Sequence, residues 1–183
     1  MSDARPALPD PAWLDALAAD LSAASLLRGD FVLSSGARSG YYLDKYLFET
    51  DPSVLGRLAT ALAGLVPDGT QRIAGTELGA VALATALSLE TGIPLVIVRR
   101  ATEEDSTSKP IEGRLEAGER VVLVEDVVTT GAQVLKAAAK LAEAGVEITA
   151  ILAVVDREEG GRAAIEGAGY RFETLFTRTS LGI

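Results

Sequence analysis

A chain of 183 residues with 48% apolar side chains is long enough for one α/β domain with a substantial core, and its formal charge of −9 argues against sequence-independent nucleic-acid binding, which Lys and Arg drive. The sequence has no cysteine and no histidine, which excludes disulfides, thiolate nucleophiles, imidazole acid/base catalysis and Cys- or His-ligated zinc; any metal must be a hard cation held by oxygen, such as magnesium. No apolar run reaches transmembrane length and the N-terminus lacks a basic-then-apolar signal pattern, so a soluble cytoplasmic protein without membrane or nucleic-acid partners is expected.

The first ten residues, MSDARPALPD, are Pro-rich and read as loose. Asp10 before Pro11 is an N-cap with proline at the first helical position, and Leu14, Leu17 and Leu21 form a helical stripe to about Leu27. FVLSSGARSGYYLDKYLFET then reads as two short strands, Phe31 to Ser34 and Tyr41 to Tyr46, joined by a glycine-containing turn. Such an appendage is too small to be its own domain and should lie over the main sheet's ligand edge or against a partner subunit. Asp51 and Pro52 open another helix, whose core face is Leu55, Leu58, Leu62 and Leu65, and Pro67-Asp68-Gly69 ends it.

Arg72 to Gly75 is a short strand, and Gly75-Thr76-Glu77 leads into a helix to about Glu90, closed by Gly92. That helix is apolar almost all round, so it is expected to be buried. The Gly-Thr-Glu turn could offer backbone N–H groups to an anion or be an ordinary connection; these residues alone leave both open. Pro94 to Val98 is a second central strand ending in the adjacent cations Arg99 and Arg100. Residues 101–118 carry no periodicity and much polarity, and a loop of that length in a compact domain is usually functional or mobile.

Val121 to Gln133, VVLVEDVVTTGAQ, organises the rest. Its apolar start has no polar alternation, as in a strand covered on both faces of a parallel sheet, and Glu125 and Asp126 are expected where it leaves the sheet, at the carboxyl edge. Thr129, Thr130 and Gly131 make a polar turn before a helix from Ala132 to Ala144. Backbone N–H groups, two hydroxyls and the positive end of the helix dipole converge there on one anion, while the acids can accept hydrogen bonds from vicinal hydroxyls. A Walker B strand also ends in acids, but neither GxxxxGK[ST] nor a GxGxxG after a strand occurs in the chain. A purely helix-capping role for the acids stays open. Gly145, a strand from Ile148 to Val155, the turn DREEGG, a short helix to about Gly167 and a last strand from Tyr170 to Phe176 complete a repeated βαβ order. Arg157, just past a buried strand's edge, could read a carboxylate or imide edge, or simply pair with Glu158 or Glu159.

The acid-acid and Thr-Thr-Gly signature resembles the phosphoribosyl pyrophosphate (PRPP) motif of type I phosphoribosyltransferases. With the appended strands, the resemblance narrows to the orotate phosphoribosyltransferase family and covers nearly the whole chain. FVLSSGARSGYYLDKY looks like that family's N-terminal hood, AGTELGAVALATALSLETGIPLVIVRR like its pyrophosphate-loop helix and next strand, and VVDREEGG like its base-site turn. The resemblance implies a mostly parallel sheet flanked by helices, one domain over residues 1–183 with a hood of about 1–50 and a core of about 51–183. It also implies magnesium-dependent transfer of the phosphoribosyl group of PRPP to orotate in pyrimidine (UMP) biosynthesis, giving orotidine 5′-monophosphate and pyrophosphate, by a homodimer whose loop reaches the neighbouring site.

By the same resemblance Asp126, Glu125 and Arg99 would be catalytic. Glu125 and Asp126 would hold the ribose hydroxyls, with magnesium bound mainly through PRPP. Val127, Val128, Thr129, Thr130, Gly131, Ala132 and Gln133 would cradle the 5′-phosphate. Thr76, Glu77, Arg99, Arg100 and Lys109 would lie on the pyrophosphate side, and Arg157 and Thr129 would contact orotate. Ser34, Ser35, Arg38 and Ser39 are open between hood contacts and plain turn residues. Two departures stand out. Gln133 takes a place usually held by a small residue or Arg, and Glu103 stands where the family's loop has a lysine, followed by a further acid, Glu104, with Asp105 for His or Tyr and Ser106 for Gly. Lys109 or Arg114 is a candidate replacement cation. The acidic loop keeps two alternatives in view: a PRPP-binding regulator or impaired relative without transfer, and a transferase for another base.

Overall fold

The N-terminal helix starts where its cap puts it. In the computed structural model, which describes residues 7–32, 38–100 and 109–183, Asp10 Oδ1 accepts the Trp13 N–H at 3.0 Å and α1 spans Pro11–Ser25. The expectations for Ser34, Ser35, Glu103, Glu104, Asp105 and Ser106 fall outside the described residues. Helix α1 ends two residues earlier than its leucine stripe suggested, because Leu26 and Leu27 pair with Leu43 and Tyr42 in an antiparallel ribbon of β1 (Leu26–Val32) and β2 (Arg38–Leu43). Tyr46 is not in a strand. Asp44 accepts the Tyr46 N–H at 3.2 Å and caps a short helix, α2 (Lys45–Glu49), which buries Phe48 completely. A side-chain cap and a buried aromatic together outweigh the extended pattern of YYLDKY.

After α3 (Pro52–Ala63), capped by Asp51, the main sheet is built from β3 (Arg72–Thr76), β4 (Leu95–Val98), β5 (Ile111–Glu112), β6 (Arg120–Val128), β7 (Glu147–Asp156) and β8 (Phe172–Thr177). Its order is β5-β4-β3-β6-β7-β8, with every neighbour parallel except β4 and β5. The two-residue β5, paired Ile97 to Glu112 and Val98 to Ile111, lies within the stretch read as structureless. Between the strands run α4 (Gly79–Thr91), α5 (Ala132–Glu143) and α6 (Gly161–Gly167).

The pleat of β6 divides the core. Val122 and Val124 pack with Leu58 and Leu62 of α3, Leu83 and Leu87 of α4, and Leu17, Leu21 and Phe48 from the N-terminal segment. Val121 and Leu123 pack on the other face with Val134, Ala138 and Leu141 of α5 and Ile165 of α6. Burial of one such aliphatic side chain is worth about 1.5–3 kcal/mol, so these two layers fix which way every β6 side chain points. Helix α4 sits tightly on β3 because Gly75 has no side chain: a Cβ there would lie 2.6 Å from the Ala84 Cβ. Contrary to its apolar composition, α4 is buried on one side only. Leu83, Ala84 and Leu87 face the core, whereas Leu89 is 82% exposed, since nothing among the described residues covers that side. No helix of the described residues is long and apolar enough to cross a membrane.

Candidate active site

The two signature acids do not end their strand. β6 continues to Val128, paired with Asp156 of β7, but its pairing with β3 stops at Gly75 and Val124. Glu125 and Asp126 therefore occupy the notch that β3 vacates, and the pleat turns them toward opposite faces. Glu125, 6% exposed, accepts the Thr76 hydroxyl at 2.9 Å through Oε2 and the Asp126 N–H at 3.2 Å through Oε1. Asp126, 1% exposed, accepts the Val127 N–H at 2.5 Å through Oδ1 and the Lys45 ammonium at 2.5 Å through Oδ2. Burial works against a charged Lys45, yet the Asp126 carboxylate facing it holds its pKa above the usual lysine value. Glu49, one turn further along α2, is buried and its Oε1 has no partner among the described residues. Burial first, then the Asp126 carboxylate, push the pKa of both Glu49 and Glu125 well above the ordinary glutamate range. Three acids and one ammonium thus share a dry notch. Sequence reasoning missed Lys45 and Glu49, and no local signal could have found them: the ion pair joins residues 81 positions apart.

The Thr-Thr-Gly turn follows at once. Gly131 has φ of +79° and caps α5 without any side-chain hydrogen bond, so the helix start presents backbone donors rather than a capped end. The turn is packed from behind by α6: a Cβ on Gly161 would lie 2.5 Å from the Thr129 carbonyl oxygen. A cavity of about 300 Å³ here is lined by Glu125 through Val134 together with Lys45 and Arg100. It brings together, from the expected set, Glu125, Asp126, Val127, Val128, Thr129, Thr130, Gly131, Ala132, Gln133 and Arg100. A second cavity of about 650 Å³ shares Glu125, Gln133 and Arg100 and adds Thr76, Arg99, Lys136 and Lys140. Glu77 lines neither cavity. Its carboxylate accepts the Arg100 N–H at 2.9 Å and lies 3.7 Å from Arg99, which also faces Glu112 at 3.8 Å, while its own N–H is taken by the Val98 carbonyl. Lys109 is exposed and apart from both linings.

On the far side of the turn, Val128 pairs with Asp156 and the Arg157 N–H donates to the Val128 carbonyl at 2.8 Å, so Thr129 and Arg157 leave the sheet side by side. The Arg157 guanidinium lies 5.8 Å from the ring centre of Tyr41 of β2 and pairs with Glu159 at 3.0 Å. Its buried Nε has no hydrogen-bond partner among the described residues. The ribbon and α2 therefore cover the site's edge, with Tyr41 over Arg157 and Lys45 against Asp126.

A family model for the phosphoribosyl transferase domain matches residues 57–168. An orotate phosphoribosyltransferase of Methanocella arvoryzae is 47% identical over 153 residues, covering 84% of this chain and 87% of that one. One of Halobacterium salinarum is 45% identical over 168 residues, covering 91% and 95%. The chain belongs to the orotate phosphoribosyltransferases. Its architecture agrees: the Mycobacterium tuberculosis orotate phosphoribosyltransferase superposes with a TM-score of 0.83 at 30% identity over 93% of this chain and 99% of that one. The same mycobacterial protein solved with PRPP gives a TM-score of 0.76 at 31% identity. The fold is that of a type I phosphoribosyltransferase, and membership in this family favours a transferase for orotate over a regulator or a transferase for another base.

Within that family frame, the metal question has a local answer. No group of three or more acids among the described residues could hold an ion by itself. Glu125 and Asp126 supply oxygen donors only, which suits magnesium, a cation that keeps most of its ligands from water and phosphate. The residues present fit a magnesium ion that arrives largely coordinated by its substrate.

Proposed function

We propose that this chain transfers the phosphoribosyl group of PRPP to N1 of orotate, giving orotidine 5′-monophosphate and pyrophosphate. The observation that carries the reading is the cavity of about 300 Å³ that joins two buried acids to an uncapped helix start, with Arg157 held beside the same turn through its N–H bond to the Val128 carbonyl. In this proposal the 5′-phosphate sits on the Thr129–Thr130–Gly131 turn, and Glu125 and Asp126 accept the ribose hydroxyls. The pyrophosphate points into the larger cavity beside Thr76, Arg99 and Arg100. The bond from C1′ to the pyrophosphate oxygen breaks with its electron pair leaving on oxygen, N1 of orotate closes on C1′, and the proton that N1 carried is released to solvent or to the departing pyrophosphate. The Asp126 carboxylate opposes the positive charge that grows on the ribose, while Arg99 and Arg100 meet the negative charge that grows on the leaving group. Magnesium, held by PRPP oxygens with Glu125 and Asp126, would supply further positive charge there.

Arg157 is proposed to read the orotate carboxylate or a ring carbonyl, with Thr129 as second contact. Its buried Nε, which has no hydrogen-bond partner among the described residues, and its N–H bond to the Val128 carbonyl, next to Thr129, support this. Arg157→Ala should raise the KM for orotate roughly ten- to a hundredfold, the equivalent of losing one charge-assisted hydrogen bond of about 1.5–3 kcal/mol, with the KM for PRPP within about twofold. Steady-state kinetics with each substrate varied separately read this. Equal changes in both constants would remove Arg157 from base recognition.

We further propose one domain over residues 1–183, its hood of about 1–50 sharing core with the rest, as Leu17, Leu21 and Phe48 support. A homodimer is proposed as well. Leu78 is 65% and Leu89 82% exposed at the two ends of α4, and Tyr46 and Leu47 of the neighbouring α2 are 46% and 41% exposed, apolar surface that a second subunit would cover. Sedimentation at micromolar concentration should give the dimer mass; monomer alone would contradict it. The cytoplasm is the proposed site of action, since PRPP is a polyanion that does not cross a bilayer.

A further inference from the structure

We infer that Lys45 is a positioning residue for Asp126, so that the N-terminal segment sets the geometry of the ribose-hydroxyl acceptor at the floor of the substrate cavity. This inference rests on the PRPP reading above and concerns a residue that touches the acid rather than the reacting atoms. The Asp126 carboxylate is held from both ends, Oδ1 by the Val127 N–H and Oδ2 by the Lys45 ammonium, each at 2.5 Å. Each carboxylate oxygen can accept a second hydrogen bond, so a carboxylate pinned in this way still offers acceptor positions to a ligand, now in one orientation.

Lys45 is delivered rigidly. The Asp44 N–H donates to the Ser25 carbonyl at 2.9 Å, Asp44 caps α2, and Phe48, three residues beyond Lys45, is wholly buried in the core. The space for the pair is reserved by Gly79 at the start of α4, where an added Cβ would lie 1.7 Å from Asp126 Oδ2 and 2.7 Å from Lys45 Nζ. Three separate elements, α2, α4 and β6, therefore converge on one ion pair at the edge of the cavity that Lys45 itself lines. Stability alone is a poor reason for such a pair, because desolvating two charges offsets most of their attraction. A ligand that carries several phosphates gives a better one. Without Lys45 the Asp126 carboxylate would stand uncompensated at the edge of the cavity, where it would repel such a ligand.

The test is a double-mutant cycle on PRPP binding, measured by titration calorimetry with magnesium present. Wild type is titrated first, and its failure to bind PRPP overturns both the PRPP reading and this inference. Given wild-type binding, Lys45→Met is expected to weaken PRPP ten- to a hundredfold with the KM for orotate within about twofold. Lys45→Arg, which keeps the charge, should restore affinity to within about threefold of wild type. In an Asp126→Asn background, Lys45→Met should add less than about twofold, because the lysine acts through that acid. Wild-type-like binding by Lys45→Met, or an equal loss with and without Asp126, overturns the role of Lys45 and leaves the PRPP site standing. If Lys45→Met shows no cooperative melting transition, Lys45→Gln carries the same expectation, and binding by it within twofold of wild type is equally fatal.

Discussion

Gly79→Ala is expected to remove nearly all transfer activity while leaving the protein folded. The new methyl would lie 1.7 Å from Asp126 Oδ2 and 2.7 Å from the Lys45 ammonium, far inside any real contact, and its carbon cannot move away because it is fixed to the first turn of α4. The carboxylate has to swing out of the notch, taking the lysine with it. Gly79 is not among the residues with positive φ, so alanine meets no backbone penalty and gains about 0.5–1 kcal/mol of helix preference over glycine. A fall in kcat/KM for PRPP of at least a hundredfold, with a cooperative melting transition retained but lowered by the roughly 1–3 kcal/mol that overpacking costs, is the expected pair of results. Near-normal activity would mean that Asp126 does not need its observed position.

Asp126→Asn should do comparable damage by a different route. The shape is kept, but the Lys45 ammonium is left facing a neutral amide in a largely dry notch. Breaking a buried ion pair costs roughly 3–5 kcal/mol of stability when it is fully enclosed, and the lower end applies here because the Lys45 side chain is 26% exposed. PRPP affinity should fall roughly ten- to a hundredfold with the loss of a charge-assisted acceptor worth about 1.5–3 kcal/mol. Turnover should fall further than affinity, since the negative charge matters most when positive charge has built up on the ribose. Calorimetry for binding and initial rates at saturating PRPP separate the two effects; an unchanged kcat would exclude Asp126 from the transition state.

The signature strand, its Thr-Thr-Gly turn and α5 were readable from sequence because each depends on neighbours in the chain: a β-branched run, two hydroxyls, a glycine and a 3.6-residue apolar stripe. The rest of the site was not local. Where β6 stops pairing with β3 depends on the length of β3, so the acids looked terminal although β6 runs on to Val128 beside β7. The short α2 was hidden because the aromatic residues of YYLDKY suit a strand, and only the Asp44 cap and the burial of Phe48 decide otherwise. Lys45 and Glu49 carry no signal that points at a strand 81 residues away. The apolar composition of α4 was visible, but composition does not say whether the second side of a helix meets its own domain or another surface.

Transfer to orotate is decided by a product assay in which purified protein, PRPP and magnesium are mixed with orotate or with other free bases and the nucleotides formed are separated and quantified. Orotidine 5′-monophosphate and pyrophosphate should appear in equal amounts from orotate, with no nucleotide formed from adenine or guanine. Absence of product with orotate, or faster transfer to another base, would show that orotate is not its substrate.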